Sequence, residues 1–177
     1  PAIVDQALRF QDEGADFLDL GAESSRPGHE AISTDEELRR IISPMEAIAA
    51  QVDLPISVDT YKPQVARQAL DAGATIINDI WGLKANPALA EVAAEWGAPL
   101  ILMHNQNNRQ YNNLLPDIFA SLNHSIKLAL RAGVTKENII LDPGFGFGKT
   151  PEHNLEVIRR FGEFKSLGYP LLMGTSR

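Results

Sequence analysis

The sequence predicts an α/β fold on a parallel sheet, of the (β/α)8 or TIM barrel type and incomplete in this chain. Three observations carry that expectation. Short runs of branched apolar residues alternate with longer stretches of helical periodicity, glycines recur where helical stretches give way to strands, and polar side chains gather at every strand end.

Six strands are read in order: Phe17-Leu18-Asp19-Leu20, Ile56-Ser57-Val58, Thr75-Ile76-Ile77, Leu100-Ile101-Leu102-Met103, Ile139-Ile140-Leu141 and Leu171-Leu172-Met173. They lack an alternating polar face, as strands covered on both sides do. Helical stripes lie between them. Leu38, Ile41, Ile42, Met45, Ile48 and Ala49 form one, opened by a capping-box pattern at Thr34-Asp35-Glu36-Glu37, with Pro44 expected to kink or break it. Val65, Ala69, Leu70 and Ala72 form another, introduced by Pro63 at a first-turn position. Gly14, Gly73, Gly97, Gly133 and Gly168 each stand where a left-handed residue ends a helix before the next strand.

Spacing and polar ends separate a barrel from an open doubly wound sheet. Strand starts from Phe17 to Leu171 recur about every 31 residues, so eight units need about 248, near the roughly 250 of a complete barrel. Glu23-Ser24-Ser25-Arg26, Asp59-Thr60, Asn78-Asp79, His104-Asn105, Asp142 and Thr175-Ser176-Arg177 follow the six strands. Only a barrel brings all such ends to one mouth.

Composition limits the function classes. The 177 residues, 44% hydrophobic, suit one soluble globular domain over 1–177. A net charge of −7 without a basic stripe argues against nucleic acid as a partner. With no cysteine there is no disulfide, thiolate metal site or cysteine nucleophile, which fits a reducing cytosol. Asp5 and Arg9 interrupt what would have to be the apolar core of a signal peptide, and no apolar run approaches a membrane span.

Gly144-Phe-Gly-Phe-Gly148-Lys149-Thr150 fails both nucleotide-loop patterns: Pro143 stands where the P-loop needs glycine, and G-x-G-x-G is not G-x-G-x-x-G. It reads either as a loop approaching a ligand, with Phe145 or Phe147 as an aromatic wall, or as a tight turn with its phenylalanines packed away. Asp59 and Asp142 at strand ends suit a general base, a metal ligand or a fork accepting two parallel hydrogen bonds, unless each caps the following helix. Asn78 suits the edge of a heterocycle or a buried, locally satisfied amide. His104 reads rather as a hydrogen-bonded residue at a strand end than as an acid or base. Ser24-Ser25-Arg26-Pro27-Gly28 offers hydroxyls and a guanidinium to phosphate, or is a solvated turn. Trp81 and Trp96 read as core or interface residues, and the polar loop 105–113 as long enough to be mobile. No H-x-x-H or H-E-x-x-H pattern points to zinc.

Gly21-Ala-Glu-Ser-Ser-Arg-Pro-Gly28, Ile56-Ser-Val-Asp-Thr60, Ile76-Ile-Asn-Asp79, Leu102-Met-His104, Leu141-Asp-Pro-Gly-Phe-Gly-Phe-Gly-Lys149 and Gly174-Thr-Ser-Arg177 together resemble the dihydropteroate synthase family. The motifs fall in that family's order and span essentially the whole chain. The resemblance implies a pterin-binding (β/α)8 barrel of folate biosynthesis, a sulfonamide target. It joins 6-hydroxymethyl-7,8-dihydropterin pyrophosphate to 4-aminobenzoate, giving 7,8-dihydropteroate and pyrophosphate. By resemblance Asp59, Asn78 and Asp142 hold the pterin, with Ile80, Met103 and Gly174 lining its pocket. Phe147 borders the aminobenzoate pocket. Ser25, where many relatives have threonine, and Arg26 engage pyrophosphate. Arg26, Asp59 and Asp142 are the residues expected to carry catalysis.

The same resemblance implies Mg²⁺, a cytoplasmic homodimer, and no nucleic-acid or membrane partner. The metal-binding asparagine of the first strand would precede Pro1. The lysine of the Thr-Ser-Arg-Lys run would follow Arg177, and the last strand would lie beyond it. The chain is therefore expected to be a central fragment lacking the first and last strands, truncated at both ends, about 70 residues short of a closed barrel and inactive or nearly so alone. Two other classes are weighed: a methyltetrahydrofolate-dependent corrinoid methyltransferase, which has no pyrophosphate to bind, and a non-catalytic pterin-binding or subunit-interaction module.

Overall fold

A computed structural model describes residues 2–23 and 31–175. Five parallel strands form one sheet: β1 (Leu18–Gly21), β2 (Ile56–Asp59), β3 (Ile76–Asp79), β4 (Leu100–Met103) and β5 (Ile139–Asp142). They lie side by side in chain order, without the reversal that a doubly wound sheet requires. This is the winding of a barrel wall, with the connecting helices all on one side. The helices are α1 (Ala2–Asp12), α2 (Thr34–Ala49), α3 (Pro63–Asp71), α4 (Leu89–Trp96), α5 (Leu114–Arg131) and α6 (Pro151–Arg159), with 3₁₀ turns at Lys136–Asn138 and Phe161–Leu167. Among the described residues no helix is long and apolar enough to cross a membrane.

Register sorts the strand residues into rows. Leu20, Val58, Ile77, Leu100 and Ile139 pair successively across the sheet, and the last four are fully buried in the apolar core shared with the helices. One residue further along, on the opposite face, runs the row Gly21, Asp59, Asn78, Ile101, Ile140. The core therefore lies between sheet and helices, and the polar strand ends belong to the face turned away from it.

Local structure departs from the sequence expectations in three places. The sixth strand shrinks to a single parallel bridge between Leu171 and Leu141, held by Leu141 N donating to Pro170 O at 2.9 Å and Leu172 N to Leu141 O at 2.8 Å. The cap of α2 is Ser33, whose hydroxyl accepts from Glu36 N at 3.2 Å, while the Glu36 carboxylate turns to Arg39 and Arg40. Helix α2 runs unbroken through Pro44, which forfeits only one backbone donor. Trp96, expected in the core or at an interface, is 42% exposed at the end of α4 and so is not a core residue.

All five helix-ending glycines have positive φ, from +60° at Gly97 to +113° at Gly73. Their surroundings differ. A Cβ at Gly73 would lie 2.5 Å from Ala49 Cβ, where α3 meets α2, whereas one at Gly97 would meet nothing within 4 Å. Gly73→Ala is expected to cost about 2–4 kcal/mol, strain plus overpacking, and Gly97→Ala about 1 kcal/mol, strain alone. Urea unfolding of both variants checks this, and equal midpoint shifts would contradict it.

Candidate active site

The strand ends deliver a carboxyl-lined surface. On β1, Asp19 accepts from Ser57 Oγ of β2 and from Asn78 Nδ2 of β3 at 3.1 Å, bridging three strands. Burial raises the Asp19 carboxyl, and those two donors partly offset the rise. A carboxylate only accepts, so the Asn78 amide turns its nitrogen to Asp19 and leaves Oδ1 as a free acceptor.

Asp59 stands beside Asn78 in the same register row. Its other neighbour is Gly21, where an added Cβ would come within 3.2 Å of Asp59 Cβ. Burial, then the negative charges of Asp19, Asp79, Glu37 and Glu23, push the Asp59 carboxyl up to about 8. Among the described residues it makes no side-chain hydrogen bond, and it does not cap α3, whose N-cap is Lys62. A half-buried, unpartnered carboxyl next to a free amide acceptor is a site for a ligand with adjacent N–H donors.

Asp142 ends β5, paired in register with Met103. Its Oδ1 accepts from Gly144 N at 2.7 Å, the nearby Gly174 amide favours its charged form, and its carbonyl accepts from His104 N at 2.8 Å. Burial raises this carboxyl to about 6, with the Gly144 amide and Lys149 acting in the other direction. It too caps no helix: α6 is capped by Thr150, in a reciprocal box with His153. Met103, Asp142 and Gly174 are thus brought together, while Ile80 lies half-buried just beyond β3.

The glycine-rich loop that follows is tightly seated. Gly144, at φ +73°, lies so close to the end of β4 that a Cβ would fall 1.8 Å from His104 O. Inside the loop Lys149, only 4% exposed, donates to Gly144 O at 2.8 Å, to Phe147 O at 3.1 Å and to His104 Nδ1 at 2.9 Å. Burial brings Lys149 down to about 7 and, with the nearby Lys149 and Lys84 charges, takes His104 to about 2, so the imidazole is neutral. Phe145 and Phe147 are half-buried outside the apolar core, which excludes the packed-away reading of that run. The loop 105–113 is also pinned. Gln106 Nε2 donates to Asn108 O and Gln110 O, and Tyr111 OH donates to Gly148 O at 2.8 Å.

At the β1 edge, Lys62 Nζ donates to Glu23, Glu37 and Ile32 O, and Thr60 Oγ1 donates to Glu37 at 2.7 Å. Asp79 is not part of the polar face. It turns into the core side and accepts from Trp81 N and Leu83 N at 2.9 and 2.7 Å, holding Leu83 at φ +65°. Ser25 and Arg26 lie outside the described residues. Sequence reasoning missed Asp19 and Lys149. A charge interrupting the apolar run Phe17-Leu18-Asp19-Leu20 was the available signal for the first, whereas the inward turn of Lys149 left no mark in the sequence.

Comparison with known proteins agrees with this geometry. The chain is 54% identical over 171 residues to the dihydropteroate synthase of Bacillus subtilis, which covers 97% of this chain and 60% of that relative. It thus spans about three fifths of that protein's length. A dihydropteroate synthase from Clostridium difficile, solved in the presence of pteroic acid, superposes with a TM-score of 0.95 at 46% identity, covering 98% of this chain and 66% of the other. One from Xanthomonas albilineans, solved with 4-aminobenzoic acid, gives 0.94 at 41%, covering 98% and 63%. The family model for pterin binding enzymes matches residues 1–177, and the chain belongs to that family.

Proposed function

We propose that this chain serves dihydropteroate synthesis, supplying the pterin seat and one wall of the aminobenzoate seat. The observation that carries the reading is the row Asp59–Asn78, an unpartnered carboxyl beside a free amide acceptor, with Asp142 on the same rim. A pterin presents an amino group and a ring N–H side by side, which a carboxylate accepts as a pair, so Asp59 gives up its proton as the ring binds. Of the ligands in the relatives' structures, pteroic acid carries this pterin edge, and 4-aminobenzoic acid is the aryl amine it is joined to.

In this reading Asp59, Asn78 and Asp142 orient the pterin, with Ile80, Met103 and Gly174 about it, and Phe147 flanks the aryl amine. The amine nitrogen attacks the pterin methylene carbon, the carbon–oxygen bond to pyrophosphate breaks, and the amine gives up one proton. Ser25 and Arg26 are assigned to the departing pyrophosphate. The protein's contribution is orientation and charge neutralisation, without a covalent enzyme intermediate. Among the described residues no three His, Cys, Asp or Glu side chains are grouped to hold a metal. The Mg²⁺ expected to help neutralise pyrophosphate is assigned to none of the described residues, and no step is drawn through it. A cytoplasmic homodimer completes the proposal, the absence of cysteine being compatible with a reducing compartment.

Three outcomes test the assignment in the gene product that carries this chain. Asp142→Asn should weaken binding of 6-hydroxymethylpterin by about 1.5–3 kcal/mol in calorimetry, the scale of a charge-assisted hydrogen bond. Unchanged affinity would refute its role. Arg26→Ala should impair turnover of the pyrophosphate substrate more than binding of the free hydroxymethylpterin, and equal losses would count against it.

The third outcome concerns Asp59. Its native carboxyl keeps a proton up to about pH 8, while the unfolded chain loses it near 3.8. Between those values the native state binds more protons, so this residue's contribution to stability falls as pH rises, by up to about 1.4 kcal/mol per pH unit. Asp59→Asn should therefore raise stability at pH 7.5 by at least about 1–2 kcal/mol while abolishing tight pterin binding. A less stable variant at that pH would overturn the placement of Asp59.

A further inference from the structure

We infer that Lys149 is a positioning residue: its buried ammonium is the internal staple that shapes the loop 143–148 and sets Phe147, governing capture of the aryl amine rather than of the pterin. The inference rests on the proposed function for what the loop receives, and on geometry alone for what Lys149 does.

An ammonium has three N–H donors. Here each has its own acceptor: Gly144 O and Phe147 O within the loop, and His104 Nδ1 at the end of β4. With Lys149 and His104 only 4% and 2% exposed, no N–H is left to point at a substrate. The backbone curls around the charge, closed by Phe147 N donating to Gly144 O at 3.2 Å. His104 suits this role because its imidazole is neutral and presents a lone pair, where an imidazolium would repel the cation. Lysine is accordingly tied to the loop by its two carbonyls and to the sheet by the histidine.

Removing the ammonium would leave the Phe147 carbonyl and the His104 ring nitrogen without their donor, and Gly144 O with Phe147 N alone, so the loop would have to open toward water. The two halves of the site would not suffer equally. The backbone of Asp142 is fixed independently of Lys149, by its register with Met103 and by His104 N donating to its carbonyl, and only the bond from Gly144 N to its side chain belongs to the loop. Asp59 and Asn78 are on β2 and β3, away from the loop. Phe147 has no such support, since its carbonyl is one of the groups released.

The test measures two things on the gene product that carries this chain, wild type and Lys149→Met. The first is amide hydrogen exchange of the ligand-free protein. Amides 145–148 should exchange at least about tenfold faster in the variant, while those of β1 and β2 stay unchanged. The second is a split of constants. KM for 4-aminobenzoate should rise at least about tenfold, with the Kd of 6-hydroxymethylpterin staying within about threefold.

Unaltered loop exchange would overturn the staple, and a parallel loss of both substrates would overturn the selective role. Should Lys149→Met fail to fold, His104→Leu removes one acceptor and should give the same split more mildly, while His104→Asn, keeping an acceptor, should restore wild-type constants. Identical behaviour of those two variants would also overturn the inference. A wild-type protein that forms no dihydropteroate would instead sink the proposed function, and the exchange arm would still decide the staple.

Discussion

The uniform direction of the strands is the constraint on which the rest depends. In a parallel sheet every hydrogen-bonded neighbour must carry its C-terminal residues to the same rim, and register decides which of them stand abreast. That is why Gly21, Asp59 and Asn78, from three strands far apart in sequence, share one row. The adjoining outward row, Leu20, Val58, Ile77, Leu100 and Ile139, is uniformly apolar and sinks into the helices. Because successive side chains alternate between faces, burying one row fixes the exposure of the next. A one-residue slip would put the Asp59 carboxyl into the hydrocarbon core.

Much of this architecture could be read from the sequence because its signals are local. Branched apolar runs mark strands, and positive-φ glycines mark helix ends. Both depend on side chains within a few residues, so all five glycines and five of the six strands stand where their local chemistry puts them. The sixth run, Leu171-Leu172-Met173, keeps strand chemistry but makes only one bridge, because pairing depends on a neighbour and not on propensity. The cap of α2 moved by one residue for a similar reason: Ser33 and Thr34 are equivalent in chemistry, and only backbone geometry chooses between them. Pro44 within α2 shows tertiary packing of Ile41, Met45 and Ile48 overriding a local breaker.

The site was legible only in part. Asp59, Asn78 and Asp142 announced themselves by position at strand ends, but the partners that fix their orientation come from other strands and could not be paired in advance. Asp19 holds Asn78 across β2, a link made by register. Lys149 follows a glycine run that already fails both nucleotide-loop patterns, and nothing in that run announces that its side chain points inward, beneath the very carbonyls its own loop supplies. Charges buried for local satisfaction leave weaker sequence traces than charges presented at a rim.

The electrostatics divide along the same line. On β1 and β2, Asp19 and Asp59 are desolvated next to one another, with hydroxyl and amide donors to Asp19 but no direct cation among the described residues, and both carboxyls rise. On β4 and β5 the buried cation Lys149 meets only neutral acceptors, and it falls. Neither group is in its most stable setting, and each is held there by a surrounding frame. The carboxyls sit on strands, where backbone pairing fixes them to within a side-chain rotamer. The lysine sits under a loop, whose shape it partly creates. A rigid heterocycle that must be read along one edge matches the first arrangement, because strand positions do not adjust. A partner that has to enter, react and leave as part of the product matches the second, because a loop held by three hydrogen bonds can open where a paired strand cannot. On the proposed function, the groups that read the ring and the loop that flanks the amine then fall on different structural elements, so that one can stay ordered while the other opens.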